Sequence, residues 1–176
     1  MAKAKKMNAI EMLKADHRKV EELFEKYEKS RGKKAEIAKK ICLELIVHTM
    51  LEEEIFYPAC REVGVEEDKM DEADVEHDGA KVLISELQQG APDDDYYDAK
   101  VKVLSEEIKH HVKEEEMRDG VFAQAKANGL DLDAVGQDMA ARKKEILAEM
   151  DEDNMPAPMT RTMSAASLGR AQAVGE

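Results

Sequence analysis

The sequence predicts an all-α protein: an antiparallel four-helix bundle with a short fifth helix and a disordered C-terminal tail. Apolar residues recur at alternating steps of three and four along four long segments, the period of helices with one buried face. Charged residues make up 38 % of the chain and aromatics 4 %, with no tryptophan, a balance that suits a bundle with solvated outer faces. No strand pattern competes with this reading.

The first helix starts with Asn8 as N-cap and Glu11 three residues on, a capping box that satisfies two orphan amides. Its seam is Ile10, Leu13, His17, Val20, Phe24 and Tyr27, and it stops at SRGKK, where Gly32 is expected to turn left-handed. The second runs from about Lys34 to Glu62 with Ile41, Leu45, His48, Glu52, Ile55 and Ala59 in phase. Pro58 must kink or end it, because proline has no amide and clashes with the preceding turn. Gly64 is the expected pivot into a third helix, Asp68 to Gln89, carrying Met70, Ala73, His77, Ala80, Ile84 and Leu87 and stopped by Gly90 and Pro92.

The fourth helix, about Asp94 to Ala127, presents Tyr97, Val101, Leu104, Ile108, His111, Glu115, Arg118 and Phe122, and closes at Asn128–Gly129. A fifth, about Asp133 to Glu149, carries Val135, Met139, Ile146 and Leu147 and is expected on the outside of the bundle. From Asp151 the chain is rich in Pro, Ala, Ser and Met without an apolar period, which predicts disorder. The expected organisation is a metal-binding bundle over 1–130, an additional helix over 131–150 and a tail over 151–176.

A chain of 176 residues suits one domain that needs no disulfide support. Its formal charge of −13 argues against nucleic acid and anionic membranes as partners. Cys42 and Cys60 would lie about 27 Å apart on one helix at ~1.5 Å per residue, so they read as reduced thiols. With no apolar run long enough for a signal peptide or membrane span, a cytoplasmic location is expected.

The four seams contain six polar groups apart from Arg118 near the end of the fourth: His17, His48, Glu52, His77, His111 and Glu115. Burying such a group without a partner costs roughly 2–7 kcal/mol when neutral and far more when charged. Measured from the intervening turns at ~1.5 Å per residue, all six fall in one layer of an antiparallel bundle. Converging there, they need a compensating cation. His110, Glu53, Glu54, Glu114 and Glu116 fall off the seams and are expected in solvent.

Helices two and four each present His-x-x-x-Glu, and helices one and three a single histidine. This weak internal two-fold suits two metals bridged by the two glutamates. Imidazole with carboxylate suits iron, manganese or zinc, whereas calcium or magnesium would want oxygen alone. Two octahedral ions sharing both carboxylates and an oxo or hydroxo bridge would keep about two positions for a small ligand, such as dioxygen, peroxide or nitric oxide.

Asp16–His17, HTMLEEEIFYP at His48–Pro58, Glu76–His77 and HHVKEEE at His110–Glu116 together resemble the hemerythrin-like HHE cation-binding domain, over about residues 8 to 127. The resemblance implies an up-down-up-down bundle holding a non-haem di-iron centre, with His17, His48, Glu52, His77, His111 and Glu115 as ligands. Oxygen-carrying hemerythrins have two histidines a turn apart on the third helix, where this chain has Ala73 and Lys81 on either side of His77. They usually close with His-x-x-x-x-Asp, where this chain has His111-x-x-x-Glu115. Both departures argue against reversible oxygen carriage.

The expected function is therefore binding of, or reaction with, small oxygen species in oxygen, redox or iron handling, with peroxide decomposition or oxidase activity as possible enzymatic forms. A metal- or redox-sensing module in which the metal is structural is the alternative. A ferritin-like oxidase would want paired Glu-x-x-His motifs, and only Glu107–His110 fits, off the seam. Tyr27, Tyr57 and Tyr97 are candidate hydrogen-bond donors near the cluster, although each reads first as a core or rim aromatic.

Overall fold

The computed structural model describes residues 6–164. It is all-helical, with α1 (Ala9–Lys29), α2 (Lys34–Leu51), a π-helical turn (Glu52–Phe56), α3 (Tyr57–Glu62), α4 (Glu67–Gln89), α5 (Tyr97–Glu116), α6 (Val121–Ala127) and α7 (Leu132–Glu149). The bundle closes on itself: α1 packs on α2, α2 on α4, α4 on α5 and α5 on α1. Among the described residues no helix is long and apolar enough to cross a membrane.

The capping box forms as the sequence predicts, with Asn8 Oδ1 accepting from the Glu11 amide and Glu11 Oε2 from the Asn8 amide, both at 3.0 Å. Gly64 and Gly129 take positive φ at +78° and +83°, where a Cβ would be strained. Gly32 does not: α1 ends instead on Ser30 in extended conformation, and the Ser30 hydroxyl accepts from the Lys33 amide.

Proline acts through the turn before it. Around Pro58 the helix widens by one residue, so that the Tyr57 amide donates to Glu52 O, five residues back. Beyond this π-turn the buried positions shift by one, from the expected Ile55 and Ala59 to Phe56, Tyr57 and Cys60.

The fourth long segment departs more sharply from expectation. α5 begins at Tyr97 rather than Asp94, because Asp94 closes a turn by accepting from the Ala91 amide at 2.7 Å. It stops at Glu116, and Arg118 is exposed. Gly120 packs so close under the end of α5 that a Cβ there would lie 2.2 Å from Glu114 O and 2.6 Å from Glu115 O. The chain re-enters the bundle as α6, which brings Phe122 into the core.

α7 lies on the outside, against α1, α2 and the π-turn, and buries Met139 and Ile146 while Leu147 stays exposed. Gly136 permits this approach: a Cβ there would sit 2.7 Å from the Ala9 nitrogen. Residues 151–164 are irregular, but they are not free of the bundle. The amides of Arg161, Thr162 and Met163 and the Thr162 hydroxyl all donate to the buried Asp78 carboxylate at 2.5–3.0 Å. The expectation of disorder from Asp151 onward is corrected to that extent, since a buried carboxylate requires donors; its remainder, 165–176, lies outside the described residues.

Candidate metal centre

His17 on α1, His48 on α2, His77 on α4 and His111 on α5 meet in one buried layer with Glu52 and Glu115. The histidines pair across the bundle. His17 Nε2 and His48 Nε2 lie 3.2 Å apart, as do His77 Nε2 and His111 Nε2. Glu52 Oε2 is 3.2 Å from both His48 Nε2 and His77 Nε2, and Glu115 Oε2 is 3.3 Å from His17 Nε2 and 3.6 Å from His111 Nε2. Each carboxylate thus spans both histidine pairs, at 0 % and 1 % exposure. The sequence-level two-fold is present in the geometry, with ring centroids 4.8 Å apart in one pair and 4.7 Å in the other.

The outer nitrogens are ordered as well. His17 Nδ1 bonds Glu116 at 2.7 Å, His77 Nδ1 bonds Glu53 at 3.0 Å, and His111 Nδ1 bonds Glu76 at 2.6 Å. Asp16 stands 3.8 Å from His48 Nδ1, an electrostatic contact too long for a hydrogen bond, and is itself gripped by Lys143 of α7 at 2.6 and 2.8 Å. Each of these carboxylates is adjacent in sequence to an inner residue of its own helix and serves the histidine of the neighbouring helix. The ring runs from α1 to α2, α2 to α4, α4 to α5 and α5 back to α1. An outer carboxylate fixes the ring orientation of an imidazole and raises its basicity as a ligand.

Glu53 and Glu116 therefore correct the expectation that they are solvated. Both are half-buried, because a helix residue next to the seam faces the adjacent helix. Glu54 is exposed and pairs with Arg142, and His110 is exposed, as expected.

Tyr57 is the buried polar group of this layer that seam counting does not find. Its hydroxyl is buried amid the six groups, donates to Glu115 Oε1 at 2.9 Å and lies 3.3–3.4 Å from His77 Nε2, His111 Nε2 and Glu52 Oε2. An unbroken α-helix would turn residue 57 away from Glu52, and the π-turn brings it over. The signal in the sequence was the proline next to it. By the internal two-fold the counterpart of Tyr57 is Gly120, and Phe122 fills the equivalent space, its ring parallel to His17 at 5.8 Å much as Tyr57 stacks on His77 at 5.3 Å. One end of the layer is lined by a hydroxyl, the other by hydrocarbon. Tyr27 and Tyr97 stand apart from it, bonded to Asp98 and Leu87 O.

Charge in the layer follows from burial and mutual attraction. Burial disfavours the imidazolium of His48, but Glu52 and Asp16 outweigh it and push the group up to about 10. His77 is likewise disfavoured by burial but raised to about 9 by Glu52 and Glu53. Burial favours a neutral Glu52, yet His48 and His77 hold its carboxyl well below the usual range. Tyr57 stays protonated, since burial and the negative Glu115 and Glu52 push it well above its ordinary value.

Two donor sets emerge: His17, His48, Glu52 and Glu115, and His77, His111 and Glu52, each with donor atoms within 4.8 Å of one another. Glu52 Oε1 and Glu115 Oε2 are buried without a hydrogen-bond partner, as is His48 Nδ1. Two buried carboxylates, each with one unsatisfied oxygen, stand among four inward nitrogens as groups a cation would complete, and the mixed nitrogen–oxygen set fits iron, manganese or zinc. On one side of the layer a small cavity of about 20 Å³ touches all four histidines, with Val20, Leu45, Ile108 and Val112 among its walls.

The family model "Hemerythrin HHE cation binding domain" matches residues 8–120. A solved structure, that of a hemerythrin HHE cation binding domain-containing protein from Mycobacterium kansasii, superposes with a TM-score of 0.68 at 24 % identity, covering 81 % of this chain and 88 % of that one. None of the curated proteins compared matches the chain.

Proposed function

Because the chain belongs to the hemerythrin HHE cation binding domain family, we propose that His17, His48, Glu52, His77, His111 and Glu115 hold two iron ions and that the centre binds or reacts with a small oxygen species: dioxygen, peroxide or nitric oxide. The observation that carries this reading is the arrangement of four imidazoles, Nε2 inward and Nδ1 toward carboxylates, around two buried and incompletely satisfied glutamates. The bound ions would supply Lewis acidity and electron transfer.

The chain's own residues do the rest. Glu53, Glu76 and Glu116 orient the imidazoles of His77, His111 and His17 by hydrogen bonds, and Asp16 places negative charge beside His48. Val20, Leu45, Ile108 and Val112 exclude bulk water from a cavity that has room for one small molecule. Tyr57 holds a proton at its hydroxyl facing the layer and can donate it to an anionic ligand. The metal-binding unit would be residues 1–130, with α7 serving it through Lys143 and Asp16. A cytoplasmic location belongs to the same proposal and is supported by two free, buried thiols.

The decisive experiment is metal analysis with an absorption spectrum of protein purified in air. Two irons per chain with near-ultraviolet and blue charge-transfer bands are expected, and their loss in H48L/E52A. One zinc and a colourless solution, or a variant that keeps its full metal content, refutes the proposal.

One observation favours the sensing alternative. Asp78, next to His77, carries the C-terminal segment, and Arg161 of that segment also reaches Glu53, the outer partner of His77, at 3.6 Å. A melting curve with and without chelator beside a peroxide-decomposition assay separates the readings: turnover supports the first, and chelator-dependent loosening without turnover supports the second.

A further inference from the structure

Asp78 follows His77 on α4, and consecutive helix positions point about 100° apart, so one faces the buried layer and the next the C-terminal segment. The Asp78 side chain is 0 % exposed. That segment covers it: the amides of Arg161, Thr162 and Met163 and the Thr162 hydroxyl all donate to its carboxylate, at 2.5–3.0 Å. Among the described residues the other donor to Asp78 is Lys81, at 3.3 Å.

The seat is polar. Met159 and Met163 are 81 % and 42 % exposed, so these two side chains add little buried hydrocarbon to it. Pro156 O accepts from Gln88 Nε2 at 3.4 Å, and Arg161 Nη1 stands 3.5 Å from Asp74 Oδ1 and 3.6 Å from Glu53 Oε2. Asp74 Oδ1 is buried without a hydrogen-bond partner, and Arg161 is a cation that faces it. A segment held chiefly by polar contacts can open locally while the bundle stays folded.

Lys81 ties this seat to the metal ligands. It is 5 % exposed, and its Nζ lies 2.7 and 3.0 Å from the two oxygens of Glu53, closer than to Asp78. Glu53 Oε1 in turn bonds His77 Nδ1 at 3.0 Å. While the segment is seated, it satisfies Asp78 and Lys81 leans to Glu53. Once the segment leaves, a buried charge has lost most of its donors, which is unfavourable, and Lys81 offsets that only by moving toward Asp78 and away from Glu53. Arg161 departs from Glu53 in the same step. The carboxylate that orients His77 is then held by fewer groups.

We propose that residues 156–164 form a latch on the metal centre: seated on Asp78, they keep Glu53 against His77, and their release loosens that histidine and the ion it holds. The proposal rests on the reading that the buried centre binds metal. Linkage makes the effect reciprocal, so whatever factor the seated latch adds to metal affinity, bound metal adds to the seating of the latch.

The test uses the full chain and Thr162→Pro, which removes one amide donor and the hydroxyl donor from Asp78 while changing an exposed residue that touches none of the six inner groups. Affinity for manganous ion is measured by competition with a chelator in both proteins. Hydrogen exchange over 156–164 is followed by mass spectrometry with and without manganous ion, and the α4–α5 loop serves as the control segment.

Because outright loss of an outer carboxylate costs on the order of 10–100-fold in affinity, a loosened one is expected to cost about fivefold in Thr162→Pro. In the wild type, metal should slow exchange over 156–164 by about the same factor and leave the control loop unchanged; in the variant that dependence should vanish. Equal affinities with metal-independent exchange overturn the latch and leave the buried centre standing. A change in one arm without the other breaks the reciprocity and overturns it as well. A wild type that binds no metal tightly overturns the latch together with the reading beneath it.

Discussion

Glu116→Gln isolates the contribution of one outer carboxylate. Glu116 Oε1 lies 2.7 Å from His17 Nδ1, and burial of its carboxyl is outweighed by His17, Arg18 and Lys14, which lower it below its usual range. Loss of an outer carboxylate typically costs 10–100-fold in metal affinity, or about 1.4–2.8 kcal/mol at ~1.4 per decade. Glutamine keeps an acceptor in place but removes the charge, so about tenfold is expected, and Glu116→Ala should approach hundredfold. The other contacts of this carboxylate, to Arg18 and Lys14, involve side chains that are 53 % and 47 % exposed, so their loss contributes little. Glu54→Gln, in an exposed pair with Arg142, is the control and should leave affinity unchanged. The assay is competition between metal-stripped protein and a chelator for manganous or, without oxygen, ferrous ion. If both Glu116 variants hold metal as the control does, the carboxylate ring has no hold on the centre and the assignment of His17 to it fails.

Tyr57→Phe removes the hydroxyl that donates to Glu115 Oε1; metal-stripped protein should lose about 1–3 kcal/mol of stability in denaturant titration, while metal content stays at two per chain and the absorption spectrum shifts. The pH dependence of the metal-free protein follows from its raised histidines. With His48 lifted from 6.5 to about 10 and His77 from 6.5 to about 9, their stabilisation is complete below pH 6.5 and is lost as pH rises through 9 to 10. Glu52, lowered from 4.5, contributes stability present above that value and lost as pH falls below it. Thermal melts in chelator should therefore decline from pH 7 to pH 10, whereas metal uptake, which displaces the histidine protons, should strengthen over the same range. A melting temperature that climbs toward pH 10 would contradict the charge assignment. Asp78→Asn withdraws the charged acceptor of three amides and a hydroxyl, and trypsin should then cut after Arg161 several-fold faster, read by mass spectrometry.

The bundle and its six inner residues were legible from periodicity alone, because a helix face that must be apolar makes every polar intruder conspicuous. Each of His17, His48, Glu52, His77, His111 and Glu115 was on a seam, and each is buried in one layer. The capping box at Asn8 and the turns at Gly64 and Gly129 were legible for the same local reason, since caps and positive φ demand particular residues within a few positions. Local rules erred where a backbone irregularity changed the phase. Pro58 announced a disturbance, but whether it would bend the helix, end it or widen it by a residue depends on what packs against it, and widening is what puts Tyr57 among the histidines. Gly120 and the break after Glu116 were of the same kind.

The ring of outer carboxylates could not be read from the chain, because Asp16, Glu53, Glu76 and Glu116 look like ordinary members of solvated charge runs. Which carboxylate meets which imidazole is set by the neighbour relations of four helices, contacts separated by 24 to 99 residues for the three hydrogen-bonded pairs. Composition and period specify what must be buried; only packing in three dimensions specifies which partner stands beside each buried group. The docking of Arg161–Met163 on Asp78 makes the same point across more than eighty residues, for a segment whose composition carries no sign of where it belongs.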